Sequence, residues 1–218
     1  LSGVEQVGSG LRVSQSGSLS TLDLRSLQMM NGDIYFSNSG LSDVDLSSLT
    51  ELGGGIQAYY NSLANLDLSM LVSAAYIIME HNSMTVLSLP SLTSVEYEID
   101  LPHNDNLEGV NMPALQTIGG ELQVRDSNPL ATVDFSSLSS IGEKFRFDSL
   151  HGVTSLNLPA LTSVGWSLDI TDNSTLLSVA APVLSTIGQE FVLRDNTALT
   201  SVDFSSMSCV DDYTIDNN

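Results

Sequence analysis

The stretch LLSVAAPVLSTIGQEFVLRDNTA, Leu176 to Ala198, decides the fold. With Leu176 as place 0, its apolar residues stand at places 3, 5, 8, 11, 15 and 17: Val179, Ala181, Leu184, Ile187, Phe191 and Leu193. The same places are apolar in LATVDFSSLSSIGEKFRFDSLHG, where Leu130 opens and Val133, Phe135, Leu138, Ile141, Phe145 and Phe147 follow. The unit from Leu107 repeats them with Val110, Met112, Leu115, Ile118, Leu122 and Val124. Openers recur at Leu19, Leu41, Leu63, Met84, Leu107, Leu130, Val153, Leu176 and Leu199, at spacings of 22, 22, 21, 23, 23, 23, 23 and 23. Leu1, Val4, Val7, Leu11 and Val13 fit places 5 to 17 of a partial first unit, so the chain starts and stops inside a unit. A fixed period of this length is the mark of a solenoid.

The places define the local structure. Apolar residues two apart, at 3 and 5 and again at 15 and 17, have the period of a strand with one buried face. No stretch carries the i, i+3, i+4, i+7 pattern of a helix. Gly at place 12 (Gly8, Gly53, Gly119, Gly142, Gly165, Gly188) marks a turn before the second strand. Pro at place 6 (Pro90, Pro113, Pro159, Pro182) ends ladder pairing at a corner. Asn gathers near place 20: Asn61, Asn82, Asn104, Asn173, Asn196 and Asn218, with Asn128 one step later. Buried at a corner, each would bond the backbone of a neighbouring coil. One unit alone exposes its apolar edge and stacking buries it. The expectation is one all-β domain over residues 1–218. It is a right-handed parallel β-helix of about ten 21–23-residue coils, roughly 45 Å long at about 4.8 Å per coil.

Four segments carry a family resemblance: LPSLTSV (Leu89–Val95), MPALQTIGGELQV (Met112–Val124), LPALTSVGWSLDITDN (Leu158–Asn173) and APVLSTIGQEFVLRDNTALTSVDFSS (Ala181–Ser206). They resemble receptor L-domain repeats, found in the ligand-binding lobes of insulin and epidermal growth factor receptors and in fungal GPI-anchored cell-wall proteins. The resemblance implies a leucine-rich β-solenoid at the cell surface or outside the cell. It implies a non-enzymatic recognition or adhesion module for protein or glycan, standing alone or as part of a longer surface protein. The competing fold is a leucine-rich-repeat horseshoe, whose repeat also opens L-x-x-V-x-L.

Composition narrows the partners. Six Lys and Arg against 26 Asp and Glu give a net charge of −20. That sign excludes nucleic acid, which needs clustered cations, and disfavours anionic lipid. The longest apolar run, Ala74 to Met79, is far short of the roughly 20 residues of a membrane-spanning helix. The opening Leu1-Ser2-Gly3-Val4-Glu5 has neither a basic nor an apolar segment of a signal peptide. The single Cys209 excludes an internal disulfide and reads as a partly buried thiol. The oligomeric state is left open by the sequence.

Three candidate sites stand out. Asp23, Asp45 and Asp67 occupy place 4 of consecutive units and face outward. Stacked, neighbouring carboxylates repel by roughly 1 kcal/mol in water and about 3.5 at an effective dielectric of 20, which a calcium ion would relieve. The alternative is a solvated acidic stripe. The second site is a patch of Tyr59, Tyr60, Tyr76, His81, Tyr97 and His103, with Trp166 extending it. Tyr76 and Tyr97 share place 13, and His81 and His103 align just before their asparagines, next to Asp126 in the following coil. Tyr suits protein and sugar interfaces; a zinc ion held by His81, His103 and Asp126 is a lesser alternative. The third site is the sequon Asn173-Ser174-Thr175 for glycosylation. No catalytic constellation is present. A polysaccharide-acting β-helix enzyme would draw on Arg125, Arg146 and Arg194, outward on the second strand. Ice binding would need a consecutive outward Thr row, and none is found.

Overall fold

The computed structural model describes all residues, Leu1 to Asn218. It is all-β, without helix, and its parallel strands stack as a β-solenoid. The longest sheet has ten levels, which makes about nine turns of roughly 23 residues. The helical half that a leucine-rich horseshoe would need is absent, so that alternative falls.

Each turn has three strands, one more than the sequence reading gave. In the unit from Leu107 they are Gly109–Asn111, Thr117–Ile118 and Leu122–Arg125. The first set, at places 2 to 4, forms three separate three-stranded sheets. The second, at places 10 and 11, forms a nine-stranded sheet, and the third, at places 15 to 18, the ten-stranded sheet. The middle strand is two residues long and so shows no alternation in the sequence; only its inward apolar residue at place 11 was visible. Register is in step from coil to coil: Leu101 pairs with Val124, Val124 with Phe147, Phe147 with Ile170 and Ile170 with Leu193. Parallel strands this short persist because every coil repeats the same inward set, and 54 buried side chains form one continuous core.

Two columns close the corner after the ten-stranded sheet. One residue per coil adopts the left-handed conformation, with φ between 48° and 58°: Gln15, Asn38, Tyr60, His81, His103, Asp126, Ser149, Asp172, Asp195 and Asn217. Such a backbone costs on the order of 1 kcal/mol for a residue with a side chain. Asn, Asp and His bear it best, and they fill most of the column. In six of the ten coils the next residue is the ladder asparagine. Asn173 donates Nδ2 to Phe147 O at 3.0 Å, and its Oδ1 accepts Leu150 N at 3.0 Å. Asn196 repeats the bond to Ile170 O at 2.9 Å and accepts Asn173 N at 3.1 Å. Asn61, Asn82 and Asn104 reach Phe36, Ala58 and Met79 carbonyls in the same way, and Asn218 reaches Leu193. Asn128 does not join them. It is exposed, and Ser127 takes the place, its Oγ accepting Asn104 N at 3.3 Å.

From Gly53 onward the glycines at place 12 serve close approach and not a special φ; none has positive φ. A Cβ on Gly142 would lie 1.9 Å from Gly119 O, and one on Gly165 1.9 Å from Gly142 O. Here successive backbones pass nearly in contact.

Candidate functional site

The acidic stripe has a local cause. Asp45 Oδ1 accepts Ser47 N at 3.0 Å and Ser47 Oγ at 2.6 Å. Asp67, Asp134 and Asp203 each accept the N–H two residues on at 3.0 Å, and Asp23 accepts Arg25 N at 3.2 Å and Nε at 2.9 Å. Each is an Asx turn that closes the corner after the first strand. The four units with Pro at place 6 have no N–H to offer there, and in them place 4 is Ser88, Asn111, Asn157 or Ala180, never Asp. The donor, not a cation, explains where aspartate occurs. These bonds hold the Asp23 and Asp45 carboxyls below their ordinary value, through Arg25 and Ser47 respectively. Nowhere do three His, Cys, Asp or Glu side chains gather as a metal would require.

The aromatic patch divides in two, because the ten-stranded sheet lies between its members. On one side Tyr60, His81 and His103 stack in the left-handed column: Tyr60 to His81 is 4.6 Å between centroids at 26°, and His81 to His103 is 5.2 Å at 13°. Glu80 lies 3.5 Å from His81 and Asp126 3.8 Å from His103. A metal ion must lie in the plane of each imidazole that binds it, and two nearly parallel planes share no such point. The zinc arrangement of His81, His103 and Asp126 is therefore corrected to a structural stack. Tyr59 belongs to the outer face of the sheet, 6.1 Å from Tyr35.

On the other side stand Tyr76, Tyr97 and Trp166, but Tyr76 and Tyr97 are not equivalent. The unit from Leu63 lacks a residue between its second and third strands. Tyr76 O therefore accepts Ile56 N at 2.8 Å, and Ile77 N donates to Glu98 O at 2.9 Å, which puts Tyr76 level with Glu98. The Tyr76 ring fills the space over Gly55, whose Cβ would come 2.3 Å from it. Burial first, then a bond to Asp33, pushes its phenol up to about 12. Tyr76 is a packing residue. Tyr97 and Trp166 have no aromatic partner and are each 56% exposed. A chain of backbone bonds, Gly120 N to Tyr97 O, Glu143 N to Gly120 O and Trp166 N to Glu143 O, places them in one row three coils apart, about 14 Å at 4.8 Å per coil.

That row runs alongside a trough of about 650 Å³ over the nine-stranded sheet without lining it: the trough is lined by Glu96, Gly119, Gly142 and Gly165, each one residue before a member of the row. Its floor carries Ser73, Ser94, Thr117, Ser140 and Ser163, one hydroxyl per coil at place 10. The Gly119, Gly142 and Gly165 column keeps the side toward the row bare. The neighbouring hydroxyls at place 9 are already used: Thr93, Ser139 and Thr162 donate to Val72, Gln116 and Ser139 carbonyls at 3.0, 2.8 and 2.9 Å. Those at place 10 make no bond within the chain. The sequence reading missed this row because it looked for Thr alone; read as hydroxyls, place 10 is unbroken from Ser73 to Thr186.

Three further expectations are settled by position. The amide of Asn173 is wholly buried in the ladder, so the folded chain offers no nitrogen to a glycan there, and the sequon is corrected to a core residue. Cys209 is exposed, not partly buried. The arginines proposed for anionic polysaccharide are all paired: Arg125 with Asp100 and Asp126 at 3.4 and 3.5 Å, Arg146 with Asp148, and Arg194 with Asp195 at 3.2 Å. Lys144 meets Asp169 at 2.6 Å, Arg25 meets Asp23 at 2.6 Å, and Arg12 covers the Tyr35 ring at 4.2 Å. Five of the six Lys and Arg thus pair with carboxylates, and Arg12 stacks on a ring.

Glu96, Glu98, Glu121 and Glu143 gather beside Tyr97. Burial, then Asp100, Glu121 and Glu143, raises the Glu98 carboxyl above its ordinary 4.5. A raised acid contributes stability below its unfolded value and loses it as pH climbs through the folded one. Glu98→Gln should therefore raise the melting temperature at pH 7. The gain should vanish below pH 4.5, where both side chains are neutral. Thermal melts across that range check it.

The fold and trough define the class of the molecule, a parallel β-solenoid with a lined groove along its axis. Set against known proteins, the chain matches no family model, no curated protein and no solved structure. No helix is long and apolar enough to cross a membrane.

Proposed function

We propose that the chain is a non-enzymatic recognition module of the L-domain type, secreted or displayed at a cell surface, which holds a glycan or protein partner in the trough. The observation that carries this reading is the pair of unstacked, exposed rings, Tyr97 and Trp166, each next in the chain to a residue that lines the groove, Glu96 and Gly165. Ring faces left in water lose little entropy when covered and supply large contact area. The Tyr60–His81–His103 column is a poorer candidate, since its ring faces are already spent on one another. The L-domain assignment and the surface setting rest on the repeat sequence alone.

A screen of immobilised glycans and surface proteins tests the reading, run with the native chain and with Tyr97→Ala/Trp166→Ala. The double variant should keep its melting temperature within about 1 °C, because surface substitutions of this kind are nearly neutral. It should lose whatever the native chain retains. Ligands held equally by both proteins would remove the trough from the function. Released oligosaccharide in the glycan samples would make the chain an enzyme instead.

A further inference from the structure

We infer that the occupant of the trough is an uncharged, extended glycan chain lying parallel to the rod axis; this rests on the recognition reading above and names its ligand class. The trough spans coils from Gly53 to Gly165, so it is long in the stacking direction and one strand wide. Its floor repeats one unengaged hydroxyl every coil, about 4.8 Å apart, a lining that exchanges hydrogen bonds with a polymer of hydroxyls. Tyr97 and Trp166, about 14 Å apart in one row beside the trough, supply two exposed aromatic side chains with bare Gly120 and the Glu143 side chain between them. Pyranose rings present apolar C–H faces that cover such platforms.

Charge selects the class. Glu96 and Glu143 stand in or beside the row, five of the six Lys and Arg are paired with carboxylates, Arg12 lies over the Tyr35 ring of the ten-stranded sheet, and the chain carries −20. A uronate or sulfated chain would enter against this field without a counter-charge. An extended peptide would seek free backbone groups to add a strand. The floor offers none, because its strands are paired on both sides, as Thr117 is with Ser94 and Ser140.

Calorimetry of the 218-residue chain with linear neutral oligosaccharides of increasing length, β-1,3- and β-1,4-linked, tests this. Oligogalacturonate and an oligolysine peptide serve as comparators. The expected result is affinity that grows with length until the oligomer reaches both rings and is insensitive to salt. Trp166→Ala and Tyr97→Ala should each weaken it about ten-fold, at the upper end of an aromatic contact. Thr117→Val should weaken it without touching the rings. Binding of the peptide alone, lost at high salt and on Trp166→Ala, would overturn the glycan and leave trough recognition standing. Preference for oligogalacturonate would overturn the neutral class in the same way. Failure of every probe to respond to Trp166→Ala and Tyr97→Ala would overturn both.

Discussion

Asn173→Asp is expected to destabilise the rod by about 4 kcal/mol, the size of an uncompensated buried charge, and Asn173→Ala by about 3 kcal/mol. The ladder amide does two things that no other side chain does at once. Its nitrogen donates to Phe147 O and Asn196 Oδ1, and its oxygen accepts Leu150 N. Alanine leaves a buried donor and a buried acceptor without partners, at roughly 1–3 kcal/mol each. Aspartate keeps the acceptor but turns a carboxylate toward two oxygens, in a site with no exposed surface. Asn128→Asp supplies the control: that residue is exposed, and its replacement should stay within about 0.5 kcal/mol. Urea unfolding followed by circular dichroism measures all three. Because each coil touches only its neighbours, the ladder variants should also broaden the transition, as coils past the break melt separately. Equal effects for Asn173 and Asn128 would mean that the ladder carries no stability.

Gly142→Val is expected to cost about 3 kcal/mol, the upper range of overpacking. The new Cβ would sit 1.9 Å from Gly119 O. The neighbouring coil has little room to retreat, since a Cβ at Gly119 would itself meet Glu96 O at 2.1 Å, and one at Gly165 would meet Gly142 O at 1.9 Å. Gly17→Val, where nothing lies within 4 Å of the added atom, should change the melting temperature little. A Gly142 variant as stable as the Gly17 variant would show that the coils are not in backbone contact along this column.

The sequence made the stacking legible because burial repeats at fixed places, and a period survives imperfect letters. Val153 and Met84 could replace Leu without hiding the openers. The asparagine ladder was legible for the same reason, except at Asn128, where Ser127 in the ladder place looked like an ordinary turn residue. The middle strand was not, since two residues cannot show an alternation. Single-residue deletions were the other blind spot. Counting from Leu63 placed Tyr76 beside Tyr97, whereas the missing loop residue moves it to the level of Glu98. The acidic stripe misled in a different way. Asp23, Asp45 and Asp67 were read across coils, as charges above one another, while their energetics run along the chain, to the N–H two residues on. The Asp-or-Pro alternation between places 4 and 6 was present in the sequence and would have revealed it. The His81 and His103 alignment was correct as geometry, yet the backbone that gathers Asn, Asp and His into one left-handed column is not written in any side-chain period.

The stacking of equivalent places along one axis underlies the ladder, the trough and the spacing of the two rings beside it. Pairs of spin labels on the trough floor test it most directly, with Cys209 replaced by Ser. Labels at Ser73 with Ser140, Ser163 or Thr186 stand three, four and five coils apart by the register of the nine-stranded sheet. Dipolar spectroscopy should give distances that climb linearly, by about 4.8 Å per coil, from about 14 to about 24 Å. Distances that rise by some 10 Å per coil, or that fail to increase with coil number, would contradict the stacked rod and everything built on it.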